Sequence, residues 1–320
     1  MDRESFLQRA RPRWHALELA LGTPWRKHGA SIARTVSLYR QLCSDIMRAR
    51  ALGCGTDVES YLDGLAAQAH NELYRSRDHR LQAAGALVVH AFPAALRRAW
   101  PFVVLSTLLL GIPFAVGLVG SLASVQFAEN VLPVEMLEQM ADAYSQGFAE
   151  GRESGVDAAM AGFYVYNNVG IAFRCFATGI LLGLGSAFFL VYNGLVLGTV
   201  SGFVSQSGGG LNLFTFIVGH GPFELGAIVI SGAAGLRMGY ALIDTGGLTR
   251  WGSLRAVAPD LVALIAGAAV MLLIAAGVEG FWSPSSVANE IKWAVGAFNL
   301  LLLVVFFGWC GRSPRKVTGP

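Results

Sequence analysis

His220 and Glu224 are the side chains with which this chain could do chemistry. They stand four apart in Phe214-Thr-Phe-Ile-Val-Gly-His-Gly-Pro-Phe-Glu-Leu-Gly-Ala-Ile-Val-Ile230, an apolar stretch of membrane length. Ionisable groups in such a stretch are expensive and mark a functional position by default. The spacing puts both on one helix face, about one turn apart. Three roles are open. A His and a carboxylate at i and i+4 can ligate a metal, but zinc takes three or four such ligands. The membrane region offers no second His, so no metal and no cofactor are assigned. The pair could instead relay protons or couple ions in a transporter, since Gly219, Gly221 and Pro222 interrupt the helix beside it. The third role is a buried polar network that locks helices together.

The other polar residues of this apolar region are Asn167, Asn168, Arg174 and Asn193. Arg174 needs a counter-charge, and Glu224 is the only acid between Asp157 and Asp244, which makes it the expected partner. Asn193 is placed to give His220 a hydrogen bond. Asn167 and Asn168 sit at the outer edge of a span. Together these six residues are expected to form one polar cluster in the membrane.

The elements that must position them are read from hydropathy. Hydrophobic residues make up 54% and charged residues 14% of 320, against roughly 25% charged in a soluble domain. The mean hydropathy is +0.51. The fold class is therefore all-α, a polytopic helical membrane protein. Residues 1–98 hold 15 of the 24 Lys and Arg and no membrane-length apolar run. They are expected to form a cytosolic helical domain with helices near 5–21, 30–51 and 57–77. Thr56-Asp-Val-Glu59 supplies a start signal for the third. Residues 81–98 read as an interfacial helix anchored by Arg97, Arg98 and Trp100.

Residues 99–311 form the expected transmembrane domain and 312–320 a cytosolic tail. An acidic loop at 123–167 carries seven acids and one base, and the contrast with the Arg-rich N-terminal region places it outside the cytosol. Spans are expected at 101–122, 168–190, 191–207, 211–235, 257–279 and 291–310, about six at ~20 residues each. The short 191–207 leaves a re-entrant pair of half-helices as the alternative. Gly194, Gly198 and Gly202 share a spacing of four, as do Gly179 and Gly183. Such faces let helices approach closely, either within the chain or in a homodimer. Cys43, Cys54, Cys175 and Cys310 match no metal or disulfide pattern. The basic N-terminal region carries no nucleic-acid motif; it fits a surface that faces the membrane or meets envelope or cytosolic proteins.

Several strings resemble the stage II sporulation protein M-like family of bacterial integral membrane proteins. Tyr61-Leu-Asp-Gly-Leu65 with Ala69-His-Asn-Glu-Leu-Tyr74 resembles its cytosolic region. Asn167-Asn168, Gly183-x-Gly185, Tyr192-Asn-Gly194-x-x-x-Gly198 and His220-Gly-Pro-Phe-Glu-Leu225 follow the order of its core. The resemblance implies a polytopic scaffold in the bacterial inner membrane, of the kind that helps to localise a peptidoglycan-degrading machine. It implies Asn193, His220 and Glu224 as a polar signature, with no reaction attached. This chain differs in its long Arg-rich N-terminal region and in a C-terminus expected in the cytosol. The leading expectation is thus a non-enzymatic scaffold or assembly protein. The alternatives are a transporter or channel using Glu224 and His220, and an intramembrane metal-dependent hydrolase.

Overall fold

The structure, a computed structural model, describes residues 2–22, 29–74, 85–145 and 156–311. The expected tail at 312–320, and Glu150, Arg152 and Glu153 of the acidic loop, lie outside the described residues. The chain divides into two compact units, Met1–Ala84 and Gly85–Pro320. Residues 85–98, expected with the N-terminal domain, fold within the second unit: Phe92, Ala95 and Ala99 share a core with Leu264, Ala268 and Met271.

The first unit is three helices, α1 (Arg3–Gly22), α2 (Gly29–Ala51) and α3 (Thr56–Tyr74). Phe6, Trp14 and Leu17 of α1 meet Leu42 of α2 and Leu62, Leu65 and Ala69 of α3 in one core. Asp45 is buried in it and satisfied twice: Arg13 Nη2 donates at 3.0 Å and Trp14 Nε1 at 3.1 Å. A buried carboxylate is tolerable only with such partners.

The second unit begins with a π-helical turn, Leu87–Ala91, and α4 (Phe92–Arg98). Then come α5 (Trp100–Ala123), α6 (Val125–Val131), α7 (Val134–Ser145), α8 (Val156–Ala177), α9 (Leu184–Gln206), α10 (Gly210–Ile217), α11 (Gly221–Ile243), α12 (Arg250–Gly277) and α13 (Asn289–Trp309). A π-helical segment, Val278–Trp282, extends α12. The described residues contain no strand. The all-α polytopic class stands, and five described helices are long and apolar enough to cross a membrane: α5, α9, α11, α12 with its extension, and α13.

Helix direction identifies a sixth pass. Gly194, Gly198 and Gly202 of α9 abut the backbones of Leu110, Phe114 and Leu118 of α5. Both series rise together, so α5 and α9 run parallel. The chain must return between them, and α8, with 22 residues, makes that return. In the next pair, Gly232, Gly235 and Gly239 of α11 meet Leu190, Ser186 and Gly183. One series rises as the other falls, so α11 is antiparallel to α9. The intervening α10 has eight residues, about 12 Å at ~1.5 Å per residue, and does not cross.

The span boundaries therefore differ from those read from hydropathy. No reversal occurs at 190/191. It occurs at 178–183, where a 3-10 turn ends in Leu182 and Gly183, both with positive φ. Gly183 has φ +85°, a backbone conformation that disfavours any side chain there, and its backbone occupies the space that a side chain at Gly239 would need. Residues 191–207 then belong to one continuous α9, and the expected span at 211–235 is cut at 218–220 into α10 and α11.

The glycine seams make a stability prediction. A methyl at Gly198 overlaps the Phe114 carbonyl oxygen, whereas one at Gly111 meets nothing within 4 Å. Gly198→Ala should lose about 1–3 kcal/mol by overpacking. Gly111→Ala should be neutral or gain up to ~1 kcal/mol of helix propensity. Thermal unfolding of the two purified variants in detergent checks the contrast.

Candidate functional site

The break at 218–220 determines where the chemistry sits. The Gly219 carbonyl, left outside both helices, accepts from Asn299 Nδ2 of α13 at 2.8 Å. His220 caps α11, and its carbonyl accepts from the backbone N–H groups of Phe223 and Glu224. Pro222 is at home in this first turn, where a missing N–H costs no hydrogen bond. The cap and first turn point the His220 ring and the Glu224 carboxylate the same way. His220 Nε2 lies 3.6 Å from Glu224 Oε2.

A third ionisable residue joins them. Glu279, in the π-helical extension of α12, brings Oε1 to 4.0 Å from His220 Nε2. One ligand-type atom from each of His220, Glu224 and Glu279 lies within 4.8 Å of the others. The surroundings orient the three groups. His220 Nδ1 is 3.0 Å from Ser283 Oγ. Asn168 Nδ2 donates to Glu279 Oε2 at 3.4 Å, and Asn167 Nδ2 donates to Asn168 Oδ1 at 3.0 Å. Lys292 Nζ donates to the carbonyls of Ser283 at 2.9 Å and Ser285 at 2.7 Å, fixing the chain after Glu279. Phe216 of α10 packs edge-on against the imidazole at 5.5 Å. His220, Glu279, Asn168, Ser283 and Lys292 are all buried.

Of the six residues expected to cluster, the structure brings together His220, Glu224 and Asn168, with Asn167 behind Asn168. It does not bring in Arg174 or Asn193. Arg174 is exposed, and its Nε returns to the Gly170 carbonyl of its own helix at 3.0 Å. Asn193 Nδ2 likewise returns to Phe189 O at 2.6 Å. Glu224 therefore faces a histidine and a second glutamate, and the expected Arg174 counter-charge is absent from the cluster. Glu279, Ser283 and Lys292 escaped the sequence reading. Glu279 stood at the end of a predicted span and Lys292 at the start of another, where charged residues usually reach the interface. Gly179, Gly183, Gly194, Gly198 and Gly202 lie on seams within the chain.

A second polar node lies at the other end of the bundle. Asp260 of α12 accepts from Arg98 Nε at 3.0 Å and from Arg237 Nη2 at 2.6 Å. Arg97 donates to the carbonyls of Phe307 and Cys310, both at 2.8 Å. In the first unit, a cleft of about 380 Å³ lies beside Trp14, Glu18 and Tyr61. Tyr61 OH donates to Glu18 Oε1 at 2.9 Å. Partial burial first, and the neighbouring Glu18 second, push this phenol up to about 12.

Residues 104–284 match the family described as Stage II sporulation protein M. Residues 4–75, the three helices of the first unit, match a family described as Domain of unknown function (DUF8413). The chain is 36% identical over 75 residues to "Uncharacterized protein MJ0793" of Methanocaldococcus jannaschii. That similarity covers 23% of this chain and 42% of the archaeal protein. No solved structure matches the chain.

The break and its servicing residue give a prediction. Asn299→Leu strands the buried Gly219 carbonyl and should cost about 1–3 kcal/mol. Asn193→Leu, which removes a hydrogen bond made only to its own helix, should cost less than half as much. Thermal unfolding of both variants measures the difference.

Proposed function

The chain belongs to the stage II sporulation protein M family, and from that premise we propose that it is a membrane-embedded scaffold or assembly protein serving the cell envelope. The observation that carries this reading is the glycine welding of the membrane unit. Gly179 against Gly235, Gly183 against Gly239 and Gly194, Gly198 and Gly202 against α5 leave no room for a side chain. A transporter must move one group of helices past another, and backbones in direct contact oppose such sliding. A rigid platform has the opposite need.

In this reading the protein lies in the cytoplasmic membrane, with both termini cytosolic. Arg97, Arg98, Arg237, Arg250 and Arg255 gather at one end of the bundle, and Glu129, Glu135, Glu138 and Asp142 belong to the other, the positive-inside arrangement. The first unit supplies the cytosolic docking surface, where the cleft beside Tyr61 and Glu18 suits a segment of a protein partner. The glycine faces are occupied within the chain, so self-association uses the outer apolar faces of α5 and α13, where Leu108, Ile112, Val116, Leu301 and Val305 are exposed.

One observation favours a second reading. A helix broken beside buried ionisable groups is the form that ion-coupled transporters use. Proteoliposomes separate the two. The scaffold reading expects no pH-dependent or cation-dependent flux from the wild type, and a lower melting temperature for Glu224→Gln. Flux that vanishes in a stably folded Glu224→Gln variant would transfer the protein to the transport reading.

The topology has its own test. In a cysteine-free background, Ser145→Cys and Thr245→Cys should react with a membrane-impermeant maleimide from opposite sides. Reaction from one side only would remove the six-pass arrangement.

A further inference from the structure

We infer that His220, Glu224 and Glu279 are the protein ligands of a divalent transition-metal ion of the zinc type. This goes beyond the scaffold reading and does not depend on it.

The first argument is one of convergence. Two carboxylates and an imidazole nitrogen converge from separate stretches of chain, His220 and Glu224 at the start of α11 and Glu279 in the extension of α12. His220 Nε2 stands 3.6 Å from Glu224 and 4.0 Å from Glu279, both beyond hydrogen-bond range. The imidazole therefore does not hold the carboxylates together by donating to them. A cation placed between two carboxylates and an imidazole nitrogen interacts favourably with all three.

The second argument is geometric. Ligands about 2.0–2.2 Å from a tetrahedral zinc ion lie about 3.3–3.6 Å apart. The 3.6 Å separation already has that value, and the 4.0 Å separation reaches it by a small side-chain rotation. The third argument concerns the atoms behind the ligands. A metal-bound histidine nearly always donates its other ring N–H, which fixes the tautomer. Here Nδ1 lies 3.0 Å from Ser283 Oγ, where such a partner stands, and Nε2 is the ring nitrogen on the side of the carboxylates. A metal-bound carboxylate is likewise held by its second oxygen. Asn168 holds Glu279 Oε2 and leaves Oε1 toward His220, while Asn167 orients Asn168.

Donor chemistry narrows the ion. Calcium and magnesium prefer oxygen ligands throughout. One imidazole with two carboxylates suits zinc and its first-row neighbours. Three protein ligands leave a further position for water or a ligand. The ion would tie the broken α10–α11 connection to the end of α12 at the rim of the bundle.

The test uses the full chain carrying a tag without histidine, stripped with chelator in detergent, reloaded with Zn2+ and freed of excess. Plasma mass spectrometry should find equimolar zinc in the wild type and a drop to background in Glu279→Gln and His220→Gln. Co2+ loading of the wild type should give the visible absorption of a tetrahedral site. Asn168→Ala, which leaves all three ligand side chains in place and removes only the group that orients Glu279, should weaken affinity by about 10–100-fold in a variant that still elutes as folded protein. A folded wild type that retains no zinc would overturn the assignment. So would zinc retained at wild-type affinity in Glu279→Gln or Asn168→Ala. If a ligand variant fails to fold, the wild-type stoichiometry and the Asn168→Ala affinity decide the matter alone.

Discussion

A helix cannot be broken inside a membrane bundle unless other parts of the protein take up the backbone groups that the break releases. The interruption at 218–220 is the constraint around which the second unit is arranged. Helix α13 is the element that meets it. Asn299 bonds the Gly219 carbonyl, Gly296 admits the Val218 backbone, and Trp293 Nε1 donates to Thr215 Oγ1 at 3.1 Å. Lys292, one turn before Gly296, ties down the carbonyls of the chain that follows Glu279. These residues, at 292, 293, 296 and 299, have helical spacing and face the break. The rest of α13 shows lipid-type side chains such as Leu301, Val304 and Val305. One face of the last helix thus serves the break and the other is free for lipid.

The glycine seams set the depth at which the break lies. Because α9 packs parallel to α5 and antiparallel to α11 with backbones in contact, the axial register of all three is fixed within a residue. The same registry fixes where Glu224 meets Glu279, since α11 packs along α12, and where Asn168 of α8 reaches Glu279. The site is built on close backbone packing and needs no long loop to assemble it.

Much of this was legible in the sequence, and the remainder was hidden for physical reasons. Hydropathy and charge asymmetry located the helical N-terminal unit and the apolar spans, because both signals are summed over twenty residues. The pair His220 and Glu224 stood out because their cost in lipid is large. The reversal at 178–183 stayed hidden. Gly179 and Gly183 have the spacing of a helix-packing face, and only the left-handed backbone at Gly183 distinguishes a turn from a seam. The partner of Glu224 was misread for a related reason. Arg174 has the right charge, but it lies about 9 Å further along α8 than Asn168, which meets the cluster, and it is exposed. Glu279 lay past the apolar run of α12, where an acid normally marks the interface. A π-helical segment, which shifts side chains around the axis, turns it inward instead.

The two polar nodes differ in a way that bears on their roles. At the end that carries Arg98 and Arg237, Asp260 meets two guanidinium groups, so its carboxylate is paired by hydrogen-bonded cations of the protein. Such a node can hold α4, α11 and α12 together without help. At the other end two glutamates meet one imidazole, and Asn168 and Ser283 contact Glu279 and His220 from behind. If welding helices were the whole purpose, the arrangement at Asp260 would serve there too, since Arg174 sits on the same helix as Asn168 and is turned outward. The asymmetry separates a node of hydrogen-bonded ion pairs from one of three ligand-type groups that converge from α11 and the extension of α12, the arrangement on which the metal proposal is built.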